Sequence, residues 1–89
     1  MDKIGVAGCG LMGSGIAEVA ARAELDVVVV ESNQPAADAG RQRLAASLRR
    51  AEAKGKVADA AAVLERVRIV TDLDALADRD IVVEAIVED

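Results

Sequence analysis

Apolar residues fall into four short runs along the chain, and the segments between them carry helical spacing. The runs are Lys3–Ala7, Asp26–Val30, Val67–Val70 and residues 81–85. The second run holds Val27, Val28, Val29 and Val30 in succession. A continuous β-branched run predicts a parallel strand covered on both faces. Over residues 14–22, Ile16, Ala17, Ala20 and Ala21 share one side of a helix, a narrow stripe suited to lying close to a sheet. The next connection, residues 34–66, has almost no strand signal. Asn33 can cap a helix there, and Pro35 suits its first turn. Leu44, Leu48 and Ala51 follow at helical spacing, and Lys54-Gly55-Lys56 reads as a stop. A second helix over about 59–66 brings back Val63 and Leu64, so this crossover is a helical hairpin. Asp72 caps a short helix over residues 73–77. Right-handed crossovers then predict an α/β fold with a parallel sheet in the order 3-2-1-4, half of a doubly wound domain plus one strand.

The join between the first strand and the first helix carries the chemistry. It reads Gly8-Cys9-Gly10-Leu11-Met12-Gly13. Gly8 allows a tight turn out of the strand, Gly10 lets a pyrophosphate approach the backbone, and Gly13 lets helix and strand pack closely. The helix N-terminus then offers free N–H groups and its positive dipole end to phosphate. The plainer alternative is a close corner with no ligand. Glu31 ends the second apolar run 18 residues after Gly13. A carboxylate near that interval accepts hydrogen bonds from ribose hydroxyls, although a strand-end acid can also be merely solvated. Ser32 and Asn33 follow, with no arginine to hold a 2′-phosphate, which favours NAD over NADP. The Gly-Lys-Ser/Thr ending of a nucleoside triphosphate loop is missing. The pattern is that of a Rossmann-type dinucleotide-binding domain.

Composition narrows this reading. The chain has 89 residues, enough for one small domain, and contains no aromatic residue. Its core must come from Val, Ile, Leu and Ala, which predicts marginal stability. A net charge of −5, with neither a basic patch nor an aromatic platform, argues against nucleic acid and anionic membranes as partners. Cys9 is the only cysteine, so an intramolecular disulfide is excluded. It reads as a small residue between glycines rather than a reactive thiol. Val6-Ala7-Gly8-Cys9 resembles a lipoprotein cleavage box, but the five residues before it leave no room for an apolar signal core. No apolar run reaches the length of about 18 residues needed to cross a membrane. A cytoplasmic setting is expected, and no residue is assigned to a metal.

The segment from Gly8 to Ala17, Gly-Cys-Gly-Leu-Met-Gly-Ser-Gly-Ile-Ala, resembles the N-terminal signature of 3-hydroxyacyl-CoA dehydrogenases, including the 3-hydroxybutyryl-CoA dehydrogenases. The helical hairpin and the run Val83-Glu84-Ala85-Ile86-Val87-Glu88 resemble the same family. The resemblance covers the whole chain but only the first part of such an enzyme. The β-hydroxyacid dehydrogenases share Met before the third glycine but usually lack the long charged hairpin. The resemblance implies that Gly8, Cys9, Gly10, Leu11, Met12 and Gly13 hold the pyrophosphate. It implies that Glu31, with Ser32 beside it, meets the adenosine ribose. Ala85 and Ile86 would line the cofactor groove, and Glu88 would contact its nicotinamide side. Ser47 and Lys54 match positions that contact coenzyme A. The alternative for that pair is an ordinary surface serine and a lysine favourable to the helix dipole. Where the family usually has glycine between the first helix and second strand, this chain has Glu24. Either the turn differs or the segment is strained.

The implied reaction interconverts 3-hydroxyacyl-CoA and 3-ketoacyl-CoA in fatty acid metabolism, with NAD as cofactor. In that family a His, oriented by a Glu, removes the hydroxyl proton, and this chain has no His. The chain is therefore expected to be a truncated, partial NAD-binding domain spanning residues 1–89. It would lack the catalytic and dimerisation domain and turnover of its own, and its parent would be a homo-oligomer. The alternative is a stand-alone dinucleotide-binding or assembly module.

Overall fold

A computed structural model describes residues 2–8 and 11–84. Strand β1 (Lys3–Ala7) leads to α1 (Leu11–Arg22), β2 (Asp26–Val30), α2 (Gln34–Ala53), α3 (Ala60–Leu64) and β3 (Val67–Val70). A 3₁₀ turn (Leu73–Leu76) precedes β4 (Ile81–Glu84). The four strands form one parallel sheet in the order β3-β2-β1-β4, as the crossover rule predicts.

β2 is buried along its length after Asp26 because both its faces are covered. On one face Ile4, Val6, Val27, Val29 and Val67 pack against Ala17, Ala20 and Ala21 of α1, Leu44 and Leu48 of α2, and Val63 of α3. The alanines keep α1 close to the sheet, and the two leucines, fully buried, are the largest side chains in this core. On the other face Gly5 makes room for the 3₁₀ turn. A Cβ at Gly5 would lie 2.6 Å from Leu76 Cδ2 and 3.0 Å from Arg79 Cγ.

The helix ends follow the local chemistry. Asn33 Oδ1 accepts from Ala36 N–H at 2.9 Å, and Asp59 Oδ1 accepts from Ala62 N–H at 3.2 Å. α2 closes in a Schellman turn: Lys56 N–H donates to Ala51 O, Gly55 N–H donates to Glu52 O, and Gly55 has φ +75°. The Glu52 carboxylate accepts from Ala60 N–H at 2.7 Å and ties the two arms of the hairpin together. α1 closes with the same pair of bonds, from Leu25 N–H to Ala20 O and from Glu24 N–H to Ala21 O. There the left-handed position is occupied by Glu24, at φ +68°. The turn keeps the geometry glycine would adopt, so the strained alternative is the one observed.

Three boundaries differ from the sequence expectation. α1 begins at Leu11 rather than Ser14, because first-turn N–H groups lack intrahelical partners in any case and Gly13 costs little there. α3 ends at Leu64, since β3 pairing begins at Val67. The segment after Asp72 is a 3₁₀ turn, closed by i to i+3 bonds such as Ala75 N–H to Asp72 O.

Candidate functional site

The C-terminal ends of β1 and β2 lie side by side, with Ala7 opposite Val30. Gly8 N–H donates to Val30 O at 2.9 Å, extending the ladder by one bond before the chain turns away. Gly8 then adopts φ +96°, a conformation that side chains resist. Three residues later α1 begins, with its first N–H groups at this end of the sheet. Gly13 and Ser14 in its first turn are buried. A glycine with positive φ at a strand end, followed three residues later by a helix N-terminus, fits a pyrophosphate. Cys9 and Gly10 lie outside the described residues. Leu11 and Met12 form the first two positions of α1.

Glu31 follows β2 directly, and its N–H donates to Val70 O at 2.8 Å. Its half-buried carboxylate is thereby held at the same end of the sheet as Gly8. Ser32 N–H donates to Glu31 Oε1 at 3.4 Å, and Asn33 Nδ2 donates to Ser32 Oγ at 3.4 Å. Asn33 is in turn fixed as the cap of α2. The acid, the hydroxyl and Gly8 therefore lie at the same end of the sheet. Ala85, Ile86 and Glu88 lie outside the described residues. The preceding strand β4 runs beside β1, with Glu84 opposite Ala7.

Ser47 and Lys54 are not at this edge but along α2, separated by about 10 Å of helix rise. Ser47 is half-buried, and Lys54 is exposed at the C-cap. They belong to a surface that the overall net charge conceals. Residues 41–56 hold Arg41, Arg43, Arg49, Arg50, Lys54 and Lys56 against the single acid Glu52. All six cations are exposed. The expectation of no basic patch is thus corrected: this segment is net +5 on a chain of net −5. Arg43, Ser47, Arg50 and Lys54 recur at steps of four, three and four, the spacing of one helix face.

Two features escaped the sequence reading. Arg43 Nη1 donates to Ser14 Oγ at 3.5 Å, joining α2 to the first turn of α1. The pair is 29 residues apart, and only the helix phase of α2 hints at it. At the opposite end of the sheet, the Arg79 side chain is 1% exposed and pairs with Asp26 at 3.2 Å and Asp78 at 2.9 Å. Its hydrogen bond holds the Asp78 carboxyl down at about 2. Asp80 Oδ2 accepts from Lys3 N–H and Asp2 N–H, which lowers its pKa as well.

No described helix is long and apolar enough to cross a membrane, and the described residues contain no cluster of metal-ligating side chains. The 3-hydroxybutyryl-CoA dehydrogenase of Mycobacterium tuberculosis is 46% identical over 91 residues, covering 100% of this chain and 32% of that protein. A probable 3-hydroxybutyryl-CoA dehydrogenase of Deinococcus radiodurans is 49% identical over 87 residues, covering 97% of this chain and 31% of that protein. The crystal structure of M. tuberculosis FadB2 superposes with a TM-score of 0.95 at 46% identity, over 100% of this chain and 32% of that one. An (S)-3-hydroxybutyryl-CoA dehydrogenase from Ralstonia eutropha gives 0.89 at 40% identity, over 97% of this chain and 31% of its own. The chain thus spans about a third of the length of these relatives. Residues 3–89 match the model of the 3-hydroxyacyl-CoA dehydrogenase NAD binding domain, so the chain belongs to that family, with NAD as its cofactor.

Proposed function

We propose that the chain is the cofactor-binding part of an enzyme that interconverts 3-hydroxyacyl-CoA and 3-ketoacyl-CoA. The observation that carries this is the left-handed Gly8 turn leading into α1 at the same sheet edge as Glu31. In this reading the turn from Gly8 to Gly13 holds the pyrophosphate, and Glu31 with Ser32 takes the ribose hydroxyls. Ala85, Ile86 and Glu88 follow β4 in sequence and line the nicotinamide side. Bound NAD supplies the acceptor for the hydride leaving C3 of the substrate. Glu31 repels a 2′-phosphate, which favours NAD over NADP.

Ser47 and Lys54 receive the phosphate-rich handle of coenzyme A, and the basic face of α2 supports this reading. The base that takes the hydroxyl proton comes from the remainder of a longer protein, because the chain contains no His. Residues 1–89 form a partial NAD-binding domain without turnover of their own, and the parent enzyme is a homo-oligomer.

Calorimetric titration of the folded chain with NAD and NADP tests the reading. NAD binding with little or no heat from NADP is expected, and Glu31→Ala should narrow the difference. NADP binding as tightly as NAD would overturn the role of Glu31. Formation of 3-ketoacyl-CoA above a blank would overturn the expectation that this segment lacks turnover.

A further inference from the structure

We propose that Arg50 contacts a phosphate of coenzyme A from the same face of α2 as Ser47 and Lys54; this rests on coenzyme A binding at those two residues. At about 100° per residue the three fall within an arc of about 60°, and they climb the helix axis in steps of about 4.5 Å and about 6 Å. Arg50 and Lys54 are exposed, and Ser47 is half-buried. Leu48 and Ala51 are buried and hold this stretch of helix against the core, so the row stands on a fixed base.

The two charges in the row are uncompensated. Among the described residues no carboxylate pairs with Arg50 or Lys54. The single acid of residues 41–56, Glu52, lies roughly 140° round the helix from Ser47. Its carboxylate accepts from Ala60 N–H at 2.7 Å, on the flank that α3 covers. Like charges four residues apart repel on a bare helix, and an anion lying between them turns that cost into a gain. The helix dipole favours cations in the last turn, but it does not select a face, and Arg49 serves it equally well. The rest of this chain of net −5 is acidic and repels a long polyanion or an anionic membrane. A small ligand whose phosphates cluster within the row avoids that repulsion. Arginine suits the contact, because its planar fork can donate two parallel hydrogen bonds to phosphate oxygens.

The test is calorimetric titration of the 89-residue chain with coenzyme A and dephospho-coenzyme A, on wild type, Arg50→Gln, Arg50→Lys and Arg49→Gln. R50Q should weaken coenzyme A by about tenfold, the loss of a charge-assisted hydrogen bond to phosphate. R49Q removes the same charge from the same turn on another face and should weaken it by less than about twofold. R50K should recover part of the loss. An equal loss with dephospho-coenzyme A assigns Arg50 to the diphosphate, and a smaller one assigns it to the 3′-phosphate. R50Q should keep the wild-type circular-dichroism melt and NAD affinity, which separates lost contact from lost structure. Equal coenzyme A affinity in R50Q and wild type would overturn the assignment. So would an equal loss in R49Q, which marks a general effect of charge, or a short single-stranded DNA that binds as tightly and weakens as much in R50Q. Absence of coenzyme A binding by folded wild type would overturn the reading of Ser47 and Lys54 and the proposal with it.

Discussion

Replacing Glu24 isolates the cost of a single backbone conformation. Glu24 holds φ +68° at the end of α1, where a residue with a Cβ pays about 1–2 kcal/mol relative to an ordinary helical geometry. Two effects oppose relief by glycine. The Arg66 Nη2 contact to Glu24 Oε1 at 3.8 Å would be lost, but Glu24 is 81% exposed, so the pair contributes at most about 0.5 kcal/mol. Glycine also loosens the unfolded chain, by about 0.4–1 kcal/mol. Glu24→Ala loses the ion pair and keeps the strain, whereas Glu24→Gly loses the ion pair and relieves the strain. The difference between the two variants therefore removes the ion pair from consideration. Glu24→Gly should be the more stable by about 0.5–1 kcal/mol, or roughly 2–8 °C in melting temperature for a domain of this size. The assay is urea or thermal unfolding followed by far-ultraviolet circular dichroism, since the chain has no aromatic side chain to report by fluorescence. A Glu24→Ala protein at least as stable as Glu24→Gly would refute the strain argument.

Gly5→Ala should destabilise the fold by about 1–3 kcal/mol, since the new methyl meets Leu76 and an Arg79 side chain already held by two carboxylates; an unchanged urea midpoint would contradict this. Asp78 and Asp80 are both lowered in the folded state, so their contribution is complete above the ordinary carboxylate value of 3.8 and declines on acidification below it, that of Asp78 as pH falls towards about 2. Stability measured from pH 5 to pH 2 should fall less steeply in Asp78→Asn than in wild type, and parallel curves would remove Asp78 from the account. β4 is the last strand of the sheet and exposes Ile81 and Val82 on opposite faces, Ile81 lining an open apolar groove with Ile16, Val19 and Leu25 and Val82 being 45% accessible. Sedimentation should detect concentration-dependent self-association of this chain, suppressed by Val82→Lys; a monomer at all concentrations would exclude pairing through this edge.

The strands were legible because their signal is continuous and local. The four valines of β2 mark a strand covered on both faces, and each face has the cover that the pattern requires. The caps at Asn33 and Asp72 were legible for the same reason, since each bonds a backbone N–H two or three residues ahead. Gly5 was not, because its reason is Leu76, a residue 71 positions away on the far face of the sheet. The basic surface of α2 was obscured by averaging, as six cations disappear into a net charge of −5. Of the site, the glycine turn and Glu31 were visible as spacing. Arg43 beside Ser14 was not, because its position follows from the packing of α2 on α1 rather than from either segment alone.

The two ends of the sheet divide the work, and the division explains why a charged cluster lies far from the candidate site. At the N-terminal ends of the strands, Arg79 joins Asp26 of β2 to Asp78, while Asp80 accepts from Asp2 and Lys3 N–H groups at the start of β1. Asp80 N–H also donates to Lys3 O at 2.8 Å. These bonds engage the residues immediately before β4 and so set its register against β1, with Ile4 opposite Ile81 and Ala7 opposite Glu84. A parallel edge strand of four residues has little else to hold that register, and a slip of one position would turn every side chain to the other face. With the register fixed at one end, Glu84 is delivered at the other, level with the residue before Gly8. The positions proposed for the nicotinamide side follow it directly in sequence. The clasp is therefore a structural device at the end of the sheet away from the candidate site, and it fixes which residue of β4 stands level with Ala7.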